Sequence, residues 1–167
     1  MTEPLMEPWL RGIAPDLHPV TGHLLRASQQ IREDIERALR PLTPGQIWAT
    51  PFGMTSAGFH AKHLAGSTRR LCTYLAGAQL TAEQVGAIPG ERTGTESAAE
   101  LLTGIEAAFD GYEALVRALR PEDFATLREI GRKRLRTTAV SLAIHIAEHG
   151  QRHAGQAISA AKLACVT

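Results

Sequence analysis

The sequence predicts an all-α protein, folded as a four-helix bundle with long crossover connections. Four segments carry apolar residues at helical spacing, and no segment shows the alternating pattern of a strand. The connections between the first three segments have roughly 14 to 18 residues, more than antiparallel neighbours need. Some consecutive helices are therefore expected to run parallel. A chain of 167 residues can bury a sizeable core as one domain, which we expect to span residues 1–167.

The first helix is expected to begin near His18 and to end at Pro41, because proline cannot continue a helix. Residues 1–17 contain three prolines and no helical period, so they are expected to form an N-terminal arm on the surface. Residues 42–53 form a connection rich in proline and glycine. The apolar residues that define the helix are Leu24, Ile31, Ile35 and Leu39.

The second helix is expected to begin at Thr55 or Ser56, either of which can act as its cap, and to stop near Gly77. A second connection covers residues 78–94. One face of this helix carries His60, His63, Ser67, Leu71 and Tyr74. Two histidines on a predicted inner face are the first polar feature of the bundle.

The third helix follows a capping box formed by Ser97 and Glu100. A wide apolar stripe runs along it, and Pro121 closes it. The next segment, REIGRKRLRT, is locally basic. A fourth helix is expected to begin at Thr137 or Thr138 and to continue almost to the end of the chain.

Composition limits the class of protein. The formal net charge is +1 and 44% of the residues are hydrophobic, which is typical of a soluble globular chain without a nucleic-acid partner. No apolar run is long enough to span a membrane, and the first residues lack the features of a signal peptide, so a cytoplasmic location is expected. Cys72 and Cys165 are too few for a disulfide framework and are expected to be small buried residues.

Three of the seven histidines lie at helical spacing in the fourth segment, at positions 145, 149 and 153. Residues four apart lie about 6 Å apart along a helix and about 40° apart around it, so their imidazoles can meet at one ion. His145 and His153 are about 12 Å apart along the axis and cannot both reach a tetrahedral ion. The pair is therefore either His145 with His149 or His149 with His153, and His63 is the leading candidate for a third ligand.

Two other interpretations of these histidines are open at this point. Inward histidines are often hydrogen-bonded core residues without a metal. The segment HIAEH also fits the pattern H-x-x-E-H of inverted zinc proteases, in which Glu148 would be the general base and His145 and His149 the ligands. Such peptidases are built on much larger chains, and a pattern with three fixed positions is weakly specific.

The sequence resembles the DinB/YfiT-like superfamily of metal-binding four-helix bundles from about His18 to Leu163. The resemblance rests on GFHAKHLAGSTRRLCTYLAG in the second helix, QIWATP before it and HIAEHGQRHAGQA in the fourth. The family pattern H-x-x-x-H-x-G-Q maps onto His149, His153, Gly155 and Gln156, and the family's first histidine maps onto His63. The resemblance thus implies that His63, His149 and His153 bind the metal. It leaves His60, His145 and Gln156 as residues that line the pocket or support the ligands.

The resemblance also implies a chemistry. Characterised members include thiol S-transferases and a thiol-dependent isomerase, and others are described as metal-dependent hydrolases. We therefore expect a divalent ion, zinc or nickel, that activates a low-molecular-weight thiol or water toward a small-molecule substrate, in a chain that forms a homodimer. The alternative is a non-catalytic metal-binding or stress-response module.

The basic segment before the fourth helix has two interpretations. It could hold the carboxylates of a thiol cofactor or of an acidic substrate. The alternative is a solvated connecting loop. The residues concerned are Arg128, Arg132, Lys133, Arg134 and Arg136.

Overall fold

A computed structural model describes residues 6–12 and 15–166 of the chain. It is mostly helical, as the sequence predicts, with one small two-stranded sheet. The elements are the helices α1 (Pro19–Leu39), α2 (Pro44–Trp48), α3 (Ala57–Leu75), α4 (Ala82–Gly86), α5 (Ala98–Ala118) and α6 (Ala139–Ala164), and the strands β1 (Leu127–Ile130) and β2 (Leu135–Thr138). Short 3-10 helices cover Pro8–Leu10, Pro51–Gly53, Ile88–Glu91 and Pro121–Asp123.

The long helices begin at capping residues that the sequence predicts. Ser56 accepts a hydrogen bond from the backbone N–H of Phe59 at the start of α3 (3.0 Å). Ser97 and Glu100 form the capping box of α5, and Thr138 accepts from Ser141 N–H at the start of α6. Each cap satisfies a backbone donor that the first helical turn leaves unpaired.

The helix ends follow from proline and glycine. α1 ends at Leu39, two residues before Pro41, and α5 ends at Ala118, before Pro121. Gly77, two residues after α3, has a φ of +86°, a left-handed conformation that glycine adopts without strain. These boundaries agree with the sequence prediction to within about two residues, the usual scatter of such assignments.

α1 and α3 each pack against both α5 and α6. α3 and α6 are antiparallel, since His60 lies beside His153 while Ser67, further along α3, lies beside His149. α3 and α5 run parallel, because Lys62 pairs with Glu96 just before α5 and Arg69 bonds to the carbonyl of Gly104 within it. The connection between these two long helices, which includes the short helix α4, therefore crosses the length of the molecule.

The core lies between the four long helices. Its largest fully buried side chains include Tyr112, Phe109 and Ile31, and the Tyr112 hydroxyl donates to the Ala143 carbonyl (2.9 Å). Gly150 lets α1 approach α6 closely, since a Cβ there would lie 2.6 Å from the Cδ1 atom of Ile31. This contact fixes α6 in place directly beside His149.

The prediction that the chain contains no strand is wrong. β1 and β2 form an antiparallel hairpin in which Leu127 lies opposite Thr138 and Ile130 opposite Leu135. Leu127 and Leu135 are more than half exposed, so the two strands lack the alternation of buried and exposed residues that marks a strand in sequence. Cross-strand hydrogen bonds, rather than a buried face, define this hairpin.

The connections predicted over residues 42–53 and 78–94 hold short helices that the sequence does not predict, namely α2, α4 and two 3-10 helices. In the N-terminal arm, residues 6–12 lie against α1, where Arg11 pairs with Glu33; residues 1–5 and 13–14 lie outside the described residues. None of the described helices combines the length and the apolar character needed to cross a membrane.

Candidate metal centre

The polar face of α3 lies directly opposite the polar face of α6. His60, His63 and Ser67 occur at intervals of three and four residues, so they lie on one side of α3. His149 and His153 occupy successive turns on the facing side of α6. The antiparallel packing of the two helices brings these five polar side chains together inside an otherwise apolar core.

Three of the histidines have the geometry of a metal centre. His63, His149 and His153 each offer one ligand nitrogen, and these three atoms lie within 4.8 Å of one another. The ring centroids are 4.5 Å apart for His149 and His153, 4.6 Å for His63 and His153, and 5.4 Å for His63 and His149. All three side chains are partly buried, which leaves the cluster reachable from solvent.

Each of these histidines has a partner at its Nδ1 atom. Nδ1 of His63 lies 2.8 Å from Oε2 of Glu91. Nδ1 of His153 lies 3.1 Å from Nδ1 of His60, and Nδ1 of His149 lies 3.4 Å from the Ser67 hydroxyl. With Nδ1 engaged in all three rings, Nε2 is the nitrogen left for an ion, and a partner at the other nitrogen is what orients a metal-binding imidazole.

The surroundings favour the neutral form of His149, His153 and His60. Burial, with the neighbouring His63 and His145 as smaller causes, lowers the pKa of His149 to about 4. Burial and the adjacent histidines lower the pKa of His153 to about 3. Burial also lowers the pKa of His60, with a further contribution from His63. Only a neutral imidazole has a lone pair for a metal, so at neutral pH His149 and His153 are in the form that binds.

Glu91 is the site residue that sequence reasoning missed. It ends the 3-10 helix Ile88–Glu91 and is 5% exposed, beside Arg70 of α3. Burial raises the pKa of its carboxyl, but hydrogen bonds from His63 and Arg70 outweigh burial and lower that pKa below its usual value. Glu91 is 28 residues from His63 and belongs to no motif, so only the fold brings the two together.

Two of the predicted supporting residues are exposed and lie outside the group of converging ligand atoms. His145 is exposed, with its Nδ1 atom 4.0 Å from Glu148 and its ring centroid 5.9 Å from that of His149. Gln156 is exposed on α6, and the described part of the chain gives it no hydrogen bond to a histidine. His60, in contrast, is buried and contacts His153.

The inverted-protease interpretation lacks a third ligand. Over residues 6–12 and 15–166, His145 and His149 are not joined by another histidine, cysteine or carboxylate at metal-binding distance. Glu148 is exposed and faces His145 rather than the cluster. The geometry thus favours His149 with His153 over His145 with His149.

The basic segment lies far from the histidines. Its Arg128 donates to the carbonyl of Leu75, at the end of α3, twelve residues or about 18 Å along the helix from His63. Arg134 and Arg136 pair with Glu129 within the hairpin. The contacts fit a structural role in the hairpin better than a role in holding a ligand at the cluster.

The donor set fits a divalent first-row ion. Three neutral imidazoles are the ligands of several catalytic zinc sites and leave one coordination position open. Two nitrogen ligands on one zinc ion lie about 3.4 Å apart. The ligand nitrogens here lie within 4.8 Å of one another, so a modest rotation of the side chains brings them to that distance. The fold and the site together define a mostly helical protein with a three-histidine cluster of metal-binding geometry.

Comparison with protein families identifies the group to which such a chain belongs. The family model of the DinB superfamily matches residues 27–157, from within α1 to within α6, and the match includes all three histidines. The chain therefore belongs to the DinB superfamily. Among curated proteins, no relative matches the chain.

Proposed function

We propose that this protein is a metal-dependent enzyme of the DinB superfamily, in which His63, His149 and His153 hold one divalent ion. The observation that carries the proposal is that all three rings have a partner at Nδ1 while their ligand nitrogens converge. A hydrogen-bonded core histidine needs no such convergence. Zinc and nickel are the favoured ions, since imidazole suits both.

When bound, a divalent ion with three imidazole ligands supplies a Lewis acid that lowers the pKa of a thiol or a water molecule at its open position. The residues of the chain orient the ligand imidazoles. Glu91, His60 and Ser67 lie at hydrogen-bond distance from the Nδ1 atoms, and with the protons on Nδ1 each Nε2 lone pair would be available to the ion. The partial exposure of the three ligands gives a small-molecule substrate access.

The contacts around the cluster favour a thiol over water as the activated group. The one carboxylate that contacts a ligand, among the described residues, is Glu91, and it is engaged by both Arg70 and His63. Among the described residues, no other carboxylate contacts one of the three ligands, so none is placed there as a general base for water. A low-molecular-weight thiol needs less help, because its pKa is already close to neutral and it becomes a nucleophile once deprotonated. Transfer of such a thiol to an electrophile is the reaction that we propose.

Two other candidates are hydrolysis assisted only by the ion and a non-catalytic metal-binding or stress-response module, and the lack of a placed general base fits the second. The discriminating experiment is elemental analysis of the purified protein, followed by a screen of small thiols against generic electrophiles. Bound metal with metal-dependent conjugation supports the proposal. Bound metal without any turnover of thiols or of hydrolysable esters supports the module, and metal-free protein contradicts the metal-dependent enzyme.

We further infer that the four long helices form a four-helix bundle with crossover connections, as one domain over residues 1–167. Each long helix packs on two others, and α3 and α5, which are successive long helices, run parallel. Both observations support this architecture. We also propose a homodimer in the cytoplasm, by resemblance to the superfamily. Light scattering and cell fractionation test these two points.

A further inference from the structure

Glu91 lies outside every histidine motif, yet it makes the shortest polar contact with any of the three candidate ligands. We propose that Glu91 is a positioning residue, which fixes His63 as an Nε2 ligand, and that Gly66 and Arg70 build the place where its carboxylate sits. The inference rests on the proposed metal site and deepens it. It concerns how the chain prepares one ligand, rather than what the ion does.

The carboxylate of Glu91 is held from two sides. Oε2 accepts from Nη2 of Arg70 at 3.1 Å and lies 2.8 Å from Nδ1 of His63, and Oε1 accepts from Nη1 of Arg70. The side chains of Glu91 and Arg70 are 7% and 11% exposed, so little water competes for these bonds. A bidentate arginine fixes the plane and position of a carboxylate. The acceptor offered to His63 is therefore fixed in space.

A fixed acceptor selects one form of the imidazole. Only the form with its proton on Nδ1 can donate to the Glu91 carboxylate, and this form has its lone pair on Nε2. The negative charge of the carboxylate also makes Nε2 a stronger base, as in carboxylate–histidine–metal arrangements. His63 is the one ligand contributed by α3, since His149 and His153 both belong to α6. Its orientation thus decides whether the third ligand is in place.

Gly66 gives an independent observation that the chain makes room for the Glu91 carboxylate beside His63. It lies one turn after His63 on α3, beneath the Glu91 carboxylate. A Cβ at this position would overlap Oε1 of Glu91 and would lie 2.9 Å from its Cδ atom. Glycine is otherwise unfavourable inside a helix relative to alanine. The glycine here is the residue that lets the carboxylate reach His63.

Gly66→Ala is the sharpest test, because it displaces the carboxylate without removing any charge. Gly111→Ala is the matched control, since a Cβ at this helical glycine of α5 meets nothing within 4 Å. Glu91→Leu removes both charge and acceptor, and Glu91→Gln removes only the charge. Glu96→Gln is the control for the carboxylates, because Glu96 pairs with Lys62 of α3 and contacts no histidine.

Two measurements are needed. Nitrogen-15 NMR of the metal-free protein reports which nitrogen of His63 carries the proton, and competition with a chromophoric chelator gives the affinity for the zinc ion. We expect Nδ1–H at His63 in the unaltered protein and in both controls, and a mixture of the two forms in Gly66→Ala and Glu91→Leu. We expect these two variants to bind zinc about 10–100-fold more weakly, and Glu91→Gln to keep the Nδ1–H form with a smaller loss.

The two measurements separate this inference from the proposed function. Absence of zinc binding in the unaltered protein would contradict the metal site, while the NMR result would still test the placement of the proton. A His63 ring protonated on Nε2 in the metal-free protein overturns the inference. Unchanged proton placement and unchanged zinc affinity in Gly66→Ala overturn it as well, provided that circular dichroism shows all variants equally folded.

Discussion

His60 and His153 meet across the interface between α3 and α6, with their Nδ1 atoms 3.1 Å apart. Two nitrogens at this distance share one proton, so one ring donates and the other accepts. Protonation of the accepting nitrogen removes its lone pair and adds a positive charge to a partly buried site. The contact therefore requires one unprotonated Nδ1 atom, and it breaks when acid protonates that atom.

The first prediction concerns stability in acid. Burial and neighbouring charges lower the folded-state pKa of His149 to about 4 and of His153 to about 3, whereas an unfolded histidine titrates near 6.5. Between these values the unfolded state binds more protons. The free energy of unfolding is therefore highest above pH of about 6.5 and decreases as the pH drops toward 4. We expect the metal-free protein to lose about 1 kcal/mol per histidine by pH 5, after allowance for solvent screening of half-exposed groups.

Urea unfolding of the metal-free protein at pH 7 and pH 5 measures this loss. The double variant His149→Gln, His153→Gln is the control, because glutamine does not titrate in this range and its stability should depend less on pH. Equal pH dependence in the variant and in the unaltered protein would show that these two histidines do not carry the effect.

The second prediction identifies the ligands. His63→Ala, His149→Ala and His153→Ala should each lose bound metal, because an ion held by two histidines keeps too few protein ligands for a stable site. Elemental analysis after dialysis against a weak chelator measures occupancy. His23→Ala is the control, since His23 lies on α1 away from the cluster. Full occupancy with unchanged affinity in any one of the three variants would remove that residue from the ligand set.

The third prediction separates the two possible histidine pairs on α6. His145 is exposed and does not join the three converging nitrogens, so His145→Ala should leave the metal largely bound, while His153→Ala should release it. An inverted-protease site would give the opposite pattern, because its ligands would be His145 and His149. Zinc affinities of the two variants, measured side by side, decide between them.

The fourth prediction concerns the contact between His60 and His153. His60→Leu fills a similar volume but leaves Nδ1 of His153 without its partner, so zinc affinity should fall about 10–100-fold while the fold is retained. A chelator competition measures the affinity, and His23→Leu serves as the control. Unchanged affinity would mean that His60 is a packing residue only.

The sequence alone was sufficient to predict the long helices and the converging histidines. Helical spacing, capping residues such as Ser56 and Thr138, and terminating residues such as Pro41 are local features, and the structure confirms the helices that they predict. The hairpin was missed because Leu127 and Leu135 are exposed, which removes the alternation on which strand prediction depends.

Glu91 could not be predicted for a different reason. Its partners His63 and Arg70 lie 28 and 21 residues away, and the contact depends on how the crossover connection packs on α3. No periodic pattern records such a contact. The glycine at position 66 was visible in the sequence, but a helical glycine has many explanations until the neighbouring Oε1 atom of Glu91 is located.

The fifth prediction concerns chemistry. If the open position of the metal centre binds a thiol, the pKa of that thiol should fall, because only the thiolate is a good ligand and a good nucleophile. Conjugation of a generic electrophile by a small thiol should then be accelerated near neutral pH, and the acceleration should disappear with a chelator and in His149→Ala.

The cysteines of the chain should not be needed, since burial raises the pKa of Cys72 to about 12 and Cys165 lies at the far end of α6. Cys72→Ala and Cys165→Ala are therefore the controls that should keep activity. The loss of electrophile absorbance gives the conjugation rate for these two variants, for His149→Ala and for the protein treated with chelator. A broad panel of thiols and electrophiles without any metal-dependent rate would contradict thiol transfer, and hydrolysis or a non-catalytic role would then be the better account.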